Sequence, residues 1–238
     1  MTLAVHALTM DAHDPAALAG FWGDLLGWPA AADGRGGYAL EPTDETGFRL
    51  RFVRDPAPRT LPNYLHFDLT TTSLEDQAAS VARVLELGGR HHDVGQSPDE
   101  DHVVLADPEG NEMCVTPPGN RFLAGCPRIG CLSGDGSGAV GRFWSSALGW
   151  PLVWDQDEET AIQSPAGGPK MSWGGPPYNA KPAKNRVHLD LVPAPGSSQD
   201  DEVERLLGLG AVPTDIGQDD VPWVVLADPD GNQLCVLP

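Results

Sequence analysis

The stretch "VVLADPEGNEMCV", Val103 to Val115, returns as "VVLADPDGNQLCV", Val224 to Val236. Each copy sets two apolar runs around Asp-Pro-x-Gly-Asn. Proline pre-sets one backbone angle there, and glycine and asparagine tolerate positive φ, so the string reads as a hairpin present twice. Working outward, "FW" at 21–22 recurs at 143–144, "LGWP" at 26–29 recurs at 148–151, and His66 is matched by His188, each 122 residues on; the hairpin follows at 121. A register held across so many landmarks marks a tandem duplication. We read 1–118 as the first domain, 119–126 as a linker and 127–238 as the second.

Each copy alternates strand and helix signals. "LAVHALTM" has strand composition, and "DPAALAGFWGDLLGW" opens on an Asp14 cap with Pro15 in the first turn and sets Ala17, Phe21, Leu25 and Trp28 at helical spacing. Short strands "GGYALEP" and "FRLRFVRD" follow. The pattern restarts with "NYLHFDLTT", a helix from Ser73 to the stop at Gly88, and the hairpin; Ser73 and Asp76 have capping-box spacing. Copy two repeats this order. The fold class is α+β, with two strand-helix-strands units per repeat, helices on the back of a curved mixed sheet, and the other sheet face free to form a cup.

With 34 acidic against 15 basic residues the formal charge is −19, which disfavours nucleic acid and anionic membrane surfaces as partners. No apolar run is long enough to span a bilayer, and "MTLAVHALTMDAHD" lacks a signal-peptide pattern, so the expectation is a cytoplasmic protein with four reduced cysteines. Strand alternation sorts the chemistry-bearing residues. Leu65, Phe67 and Leu69 share one face of "LHFDL", leaving His66 and Asp68 on the other; Met113 and Val115 likewise leave Glu112 and Cys114. His6, between Val5 and Ala7, joins this polar face.

The paired units, the helix ending "LGW", the strand "HFDL" or "HLDL" and the hairpin "LADPEGN", in this order twice, resemble the vicinal oxygen chelate superfamily, in its glyoxalase-like and bleomycin-resistance-like branch. The resemblance implies a cup in each repeat, with metal ligands in metal-binding members drawn from the first strand of each unit and from the last strand. Carried onto this chain, those positions are His6, His66 and Cys114. Metal-dependent relatives have a glutamate where Cys114 and Cys235 stand, and the position matching His6 in copy two falls near Arg128, which leaves His188 and Cys235 there.

Two readings follow from the resemblance. In the first, the cups hold an aromatic or natural-product-like small molecule without a metal. In the second, a divalent ion, zinc, iron, nickel or manganese, serves a lyase, isomerase or dioxygenase in the first domain. Candidate acid/base groups are His66, His188 and Glu112. Asp68, Asp190, Trp154, Trp173, Tyr178 and Trp223 are candidate ligand contacts, since these three tryptophans do not repeat, whereas Trp22, Trp28, Trp144 and Trp150 repeat as core anchors. An aromatic cup under an acidic surface suits a planar or cationic ligand. Duplication supplies the paired units internally, so a monomer is expected, with a homodimer as the alternative.

Overall fold

A computed structural model describes residues 2–59, 61–97, 99–178, 184–218 and 220–238. The first unit runs β1 (Leu3–Ala12), α1 (Pro15–Leu26), β2 (Ala30–Ala32), β3 (Tyr38–Leu40) and β4 (Arg49–Arg54). The second runs β5 (Leu65–Leu69), α2 (Leu74–Glu86), β6 (Arg90–His91), β7 (Val103–Ala106) and β8 (Glu112–Val115). Copy two supplies β9 (Ile129–Gly134), α3 (Gly138–Leu148), β10 (Leu152–Gln156), β11 (Glu159–Gln163) and β12 (Lys170–Trp173). The last unit is β13 (Val187–Pro193), α4 (Gln199–Gly208), β14 (Val212–Pro213), β15 (Val224–Ala227) and β16 (Gln233–Val236). Among the described residues, no helix is long and apolar enough to cross a membrane.

The caps are those the local sequence dictates. Asp14 accepts from the Ala17 amide, and Gly27 ends α1 in the left-handed region at φ 73°. Ser73 accepts from the Asp76 amide, but the Asp76 carboxylate reaches the Thr72 amide instead of Ser73, so the reciprocal half of the capping box is absent. The full box forms on α4, between Ser198 and Asp201.

The strands assemble two eight-stranded mixed sheets, each built from two units. One has the order β14-β15-β16-β13-β1-β4-β3-β2 and the other β10-β11-β12-β9-β5-β8-β7-β6. Each sheet therefore takes one unit from each repeat: the first and fourth units pair through antiparallel β1 and β13, the second and third through antiparallel β5 and β9. This differs from a cup closed within each repeat. The helix-covered faces of the two sheets meet, since Leu8 and Met10 of β1 border one small interior void with Leu65, Phe67 and Leu132. Trp22 of α1 packs edge-on against Phe67 of the other sheet, with ring centroids 4.9 Å apart. The cups lie on the opposite faces.

The repeated hairpin loop is what ties the sheets together. Asp107, fully buried, accepts from the amides of Glu109 and Asn111 and from Asn111 Nδ2, which fixes the turn. Its Oδ2 also accepts from Trp22 Nε1 at 3.1 Å, across the boundary between units that belong to different sheets. Trp144 and Asp228 repeat the contact at 3.1 Å. The next acid of the motif caps the same helix region: Glu109 accepts from the His13 and Asp14 amides before α1, and Asp230 from the Ser137 amide and hydroxyl before α3. Removing Asp107 leaves several buried donors without an acceptor. Asp107→Ala should cost roughly 3 kcal/mol or more and Trp22→Phe about 1–2 kcal/mol in urea unfolding. An Asp107→Ala protein within about 0.5 kcal/mol of the wild type would show that the carboxylate does not join the sheets.

Candidate functional site

The pairing of units decides which candidate residues meet. His6 lies on β1 in the first sheet and His66 on β5 in the second, so the set His6, His66 and Cys114 is not brought together. The strand that reaches His6 is β13, whose His188 and Asp190 face the same side, with Cys235 opposite Asp190 on β16. A bulge between Val5 and Ala7 leaves His6 unpaired in the ladder and turns it into the cup. Arg128, on the matching stretch of copy two, is a structural residue: its guanidinium donates to the Thr70 carbonyl and the Ser80 hydroxyl.

The cup of the first sheet holds a cavity of about 490 Å³, bordered by His6, Thr9, His188, Asp190, Cys235 and Trp223 and by a belt of charged side chains. His188 Nε2 lies 3.4 Å from Asp190 Oδ1, and Thr9 donates to Asp190 Oδ2 at 2.6 Å from the adjoining strand. The belt is arranged by ion pairs: Arg51 to Asp33 at 2.7 Å, and Lys184 between Asp11 at 2.7 Å and Asp55 at 2.5 Å. Burial and the neighbouring Arg49 guanidinium hold His6 below the ordinary imidazole pKa, with Arg35 acting the same way. His188 goes the other way. Burial alone would depress it, but the Asp190 carboxylate and Cys235 outweigh burial and raise it from 6.5 to about 10.

The second sheet carries the matching trio. His66 Nε2 lies 3.5 Å from Asp68 Oδ1, Ser133 donates to Asp68, and Cys114 stands opposite Asp68. Burial, reinforced by Asp68, drives the Cys114 thiol far up, which keeps it protonated. Above this sheet the inter-repeat segment packs onto the strands: Lys170 Nζ is 3.3 Å from Cys126 Sγ and lies over the Phe122 ring, and Gln163 reaches Cys126 as well. Glu112 pairs with Arg59 and accepts from the Asn63 amide. Gln233 makes the equivalent contact to the Asn185 amide, so this position pins the loop before β5 or β13 in both copies.

The aromatic candidates separate. Trp223 borders the large cavity, its Nε1 held by Gln218 at 2.8 Å. Trp173 is 2 % exposed and packs in the core with Met171 and Val140. Trp154 on edge strand β10 and Tyr178 are exposed. Sequence reasoning missed Arg49 and Arg51, although "FRLRFVR" alternates them with Leu50 and Phe52, both fully buried. That period of two was the available signal.

Among the described residues, the histidine, cysteine and acid groups whose donor atoms all come within 4.8 Å of one another are His66, Asp68 and Cys114, and His188, Asp190 and Cys235; His6 belongs to neither.

A family model described as glyoxalase-like domain matches residues 7–116 and again 131–237. No curated protein matches the chain. Among solved structures it is similar to glyoxalase I from Zea mays, with TM-score 0.65 and 10% identity over 99% of this chain and 92% of that one. It is also similar to a provisionally assigned dioxygenase from Bacillus subtilis subsp. subtilis str. 168, with TM-score 0.58 and 12% identity over 100% and 86% of the two chains. At these identities the likeness is one of fold.

A histidine whose folded pKa is raised contributes stability in full below its unfolded pKa of 6.5, and that contribution is lost as pH rises through the folded value near 10. Urea unfolding across this window should show stability falling, and His188→Gln should flatten the profile. A variant profile as steep as the wild type would remove His188 as the cause.

Proposed function

Since the chain belongs to the glyoxalase-like domain family, we propose that it is a small-molecule binding protein whose working cup is that of the first sheet and whose cups act without a metal. The observation that carries this is the cavity of about 490 Å³ on β1, β4 and β13, a volume in the ordinary range for small-molecule sites. Trp223 offers a flat apolar face there, while His6, His188 and Asp190 supply polar groups that fix orientation. The second cup is the less suited of the two, because the inter-repeat segment lies on its strands and Cys114 is held as a thiol.

The same residues offer donors to a divalent ion. Imidazole, carboxylate and thiol are zinc-type donors, and their meeting at His188, Asp190 and Cys235 is what favours a metal-dependent lyase, isomerase or dioxygenase. The surroundings oppose it. Asp190 is already engaged by Thr9, and Arg49 and Arg51 line the same cavity, so a divalent ion would add positive charge beside guanidinium groups. These surroundings are the ground for reading the cups as metal-free.

Protein purified without chelator should therefore contain well under one equivalent of zinc, iron, nickel or manganese by elemental analysis. Near-stoichiometric metal that disappears in His188→Ala would make the metal-enzyme reading the correct one. For binding itself, the tryptophan emission should respond to aromatic small molecules, and Trp223→Phe should abolish most of the response, while Trp154→Phe should leave it unchanged.

A further inference from the structure

We propose that the cup of the first sheet selects organic anions, holding the acidic group of an aromatic acid between Arg35 and Arg49 beside His6, with its ring toward Trp223. This inference rests on that cup being the binding site and adds the charge and chemical class of the ligand.

The chain carries a formal charge of −19, yet Arg35, Arg49, Arg51, Arg54 and Lys184, five of its 15 basic residues, border this one cavity, against the carboxylates of Asp11, Asp33 and Asp190. Those carboxylates are already engaged. Asp11 and Asp33 pair with Lys184 and Arg51, and Asp190 is held by Thr9 and His188. Among the described residues, no carboxylate lies within ion-pair distance of Arg35 or Arg54, and Arg49 meets only Glu41, at 3.2 Å on the exposed rim. Positive charge is thus left over on the border of the cavity. A cleft lined by one sign of charge concentrates ligands of the other, and a guanidinium presents the forked donors that a carboxylate or other oxyanion accepts.

The two sheets serve as an internal comparison. Ala7 and Thr9 of β1 register with Arg49 and Arg51 of β4, while Cys131 and Ser133 of β9 register with Lys170 and Ser172 of β12. Arg51 thus has an uncharged counterpart, and the counterpart of Arg49 is covered by Phe122 and Cys126. The same architecture without the arginine pair exists in the same molecule, so the basic belt is not required by the fold. An acidic chain with an aromatic cup suggested a cationic ligand; the placement of the charges reverses that sign.

Three probes with one ring system test it: naphthoate, naphthalenemethanol and naphthylmethylammonium, titrated calorimetrically into the full chain at fixed ionic strength. Naphthoate should bind tightest and the ammonium weakest, and added salt should weaken naphthoate alone. Arg35→Gln and Arg49→Gln should each lower naphthoate affinity roughly tenfold, the scale of one charge-assisted hydrogen bond, and leave naphthalenemethanol unchanged. Both arginines are at the rim, and unchanged circular dichroism and melting would show that the variants fold. Binding of the neutral or cationic probe as tightly as naphthoate, or indifference of naphthoate to both substitutions, overturns the anion assignment while leaving the cup as a binding site. If none of the three binds, the cup itself is not the site and both readings fall.

Discussion

Two buried carboxylates hold the molecule in its arrangement. Asp107 and Asp228 are each almost wholly out of water, a position that is costly for a carboxylate unless its lone pairs are met by donors. The hairpin loop meets most of them from within, through Asn111 or Asn232, and the Oδ2 that takes the asparagine amide also accepts the indole N–H of Trp22 or Trp144. Because each tryptophan is on a helix of one sheet and each aspartate on a loop of the other, satisfying the carboxylate and docking the sheets are one event. The fold thereby binds the units of a repeat by helix and loop while leaving their strands free to pair elsewhere.

That freedom shapes the cups. With the units of a repeat joined back to back, the central strand of each sheet takes its antiparallel partner from the other repeat, and the first sheet collects the first and last units of the chain. His6 then faces His188, Asp190 and Cys235 in place of His66. Duplicated units give each sheet a His-Asp-Cys trio braced by a hydroxyl from the neighbouring strand, Thr9 or Ser133. The surroundings of the trios differ: the first cup carries arginines on β4 and an open cavity, and the second lies beneath the segment that joins the repeats.

Element identity was legible in the sequence because it is a local property. Alternation placed Leu65, Phe67 and Leu69 in the core and His66 and Asp68 on the cup face, and the caps at Asp14 and Ser73 and the glycine stops marked the helices. Strand pairing is not local. All four units open on a strand of the same pattern, so periodicity offers no ground for preferring β5 over β13 as the sheet-mate of His6, and the resemblance, carried over within one repeat, set His6 with His66. The misplacement of Trp173 has a different origin. Its failure to repeat suggested a role in the cup, whereas the alternation of "KMSW" sets it on the face of Met171, which is core.

Composition and position speak to different parts of the ligand question. At physiological ionic strength a charge is screened over about 8 Å, so acids scattered through outer loops contribute little to the potential inside a cavity. Side chains that border the cavity act at contact distance and through a medium that screens less. A net charge of −19 therefore describes solubility and long-range repulsion of polyanions, while the arginines at Arg35, Arg49 and Arg51 describe what a small molecule meets once inside. The two statements concern different distances, and for a ligand held in a cup the short one governs.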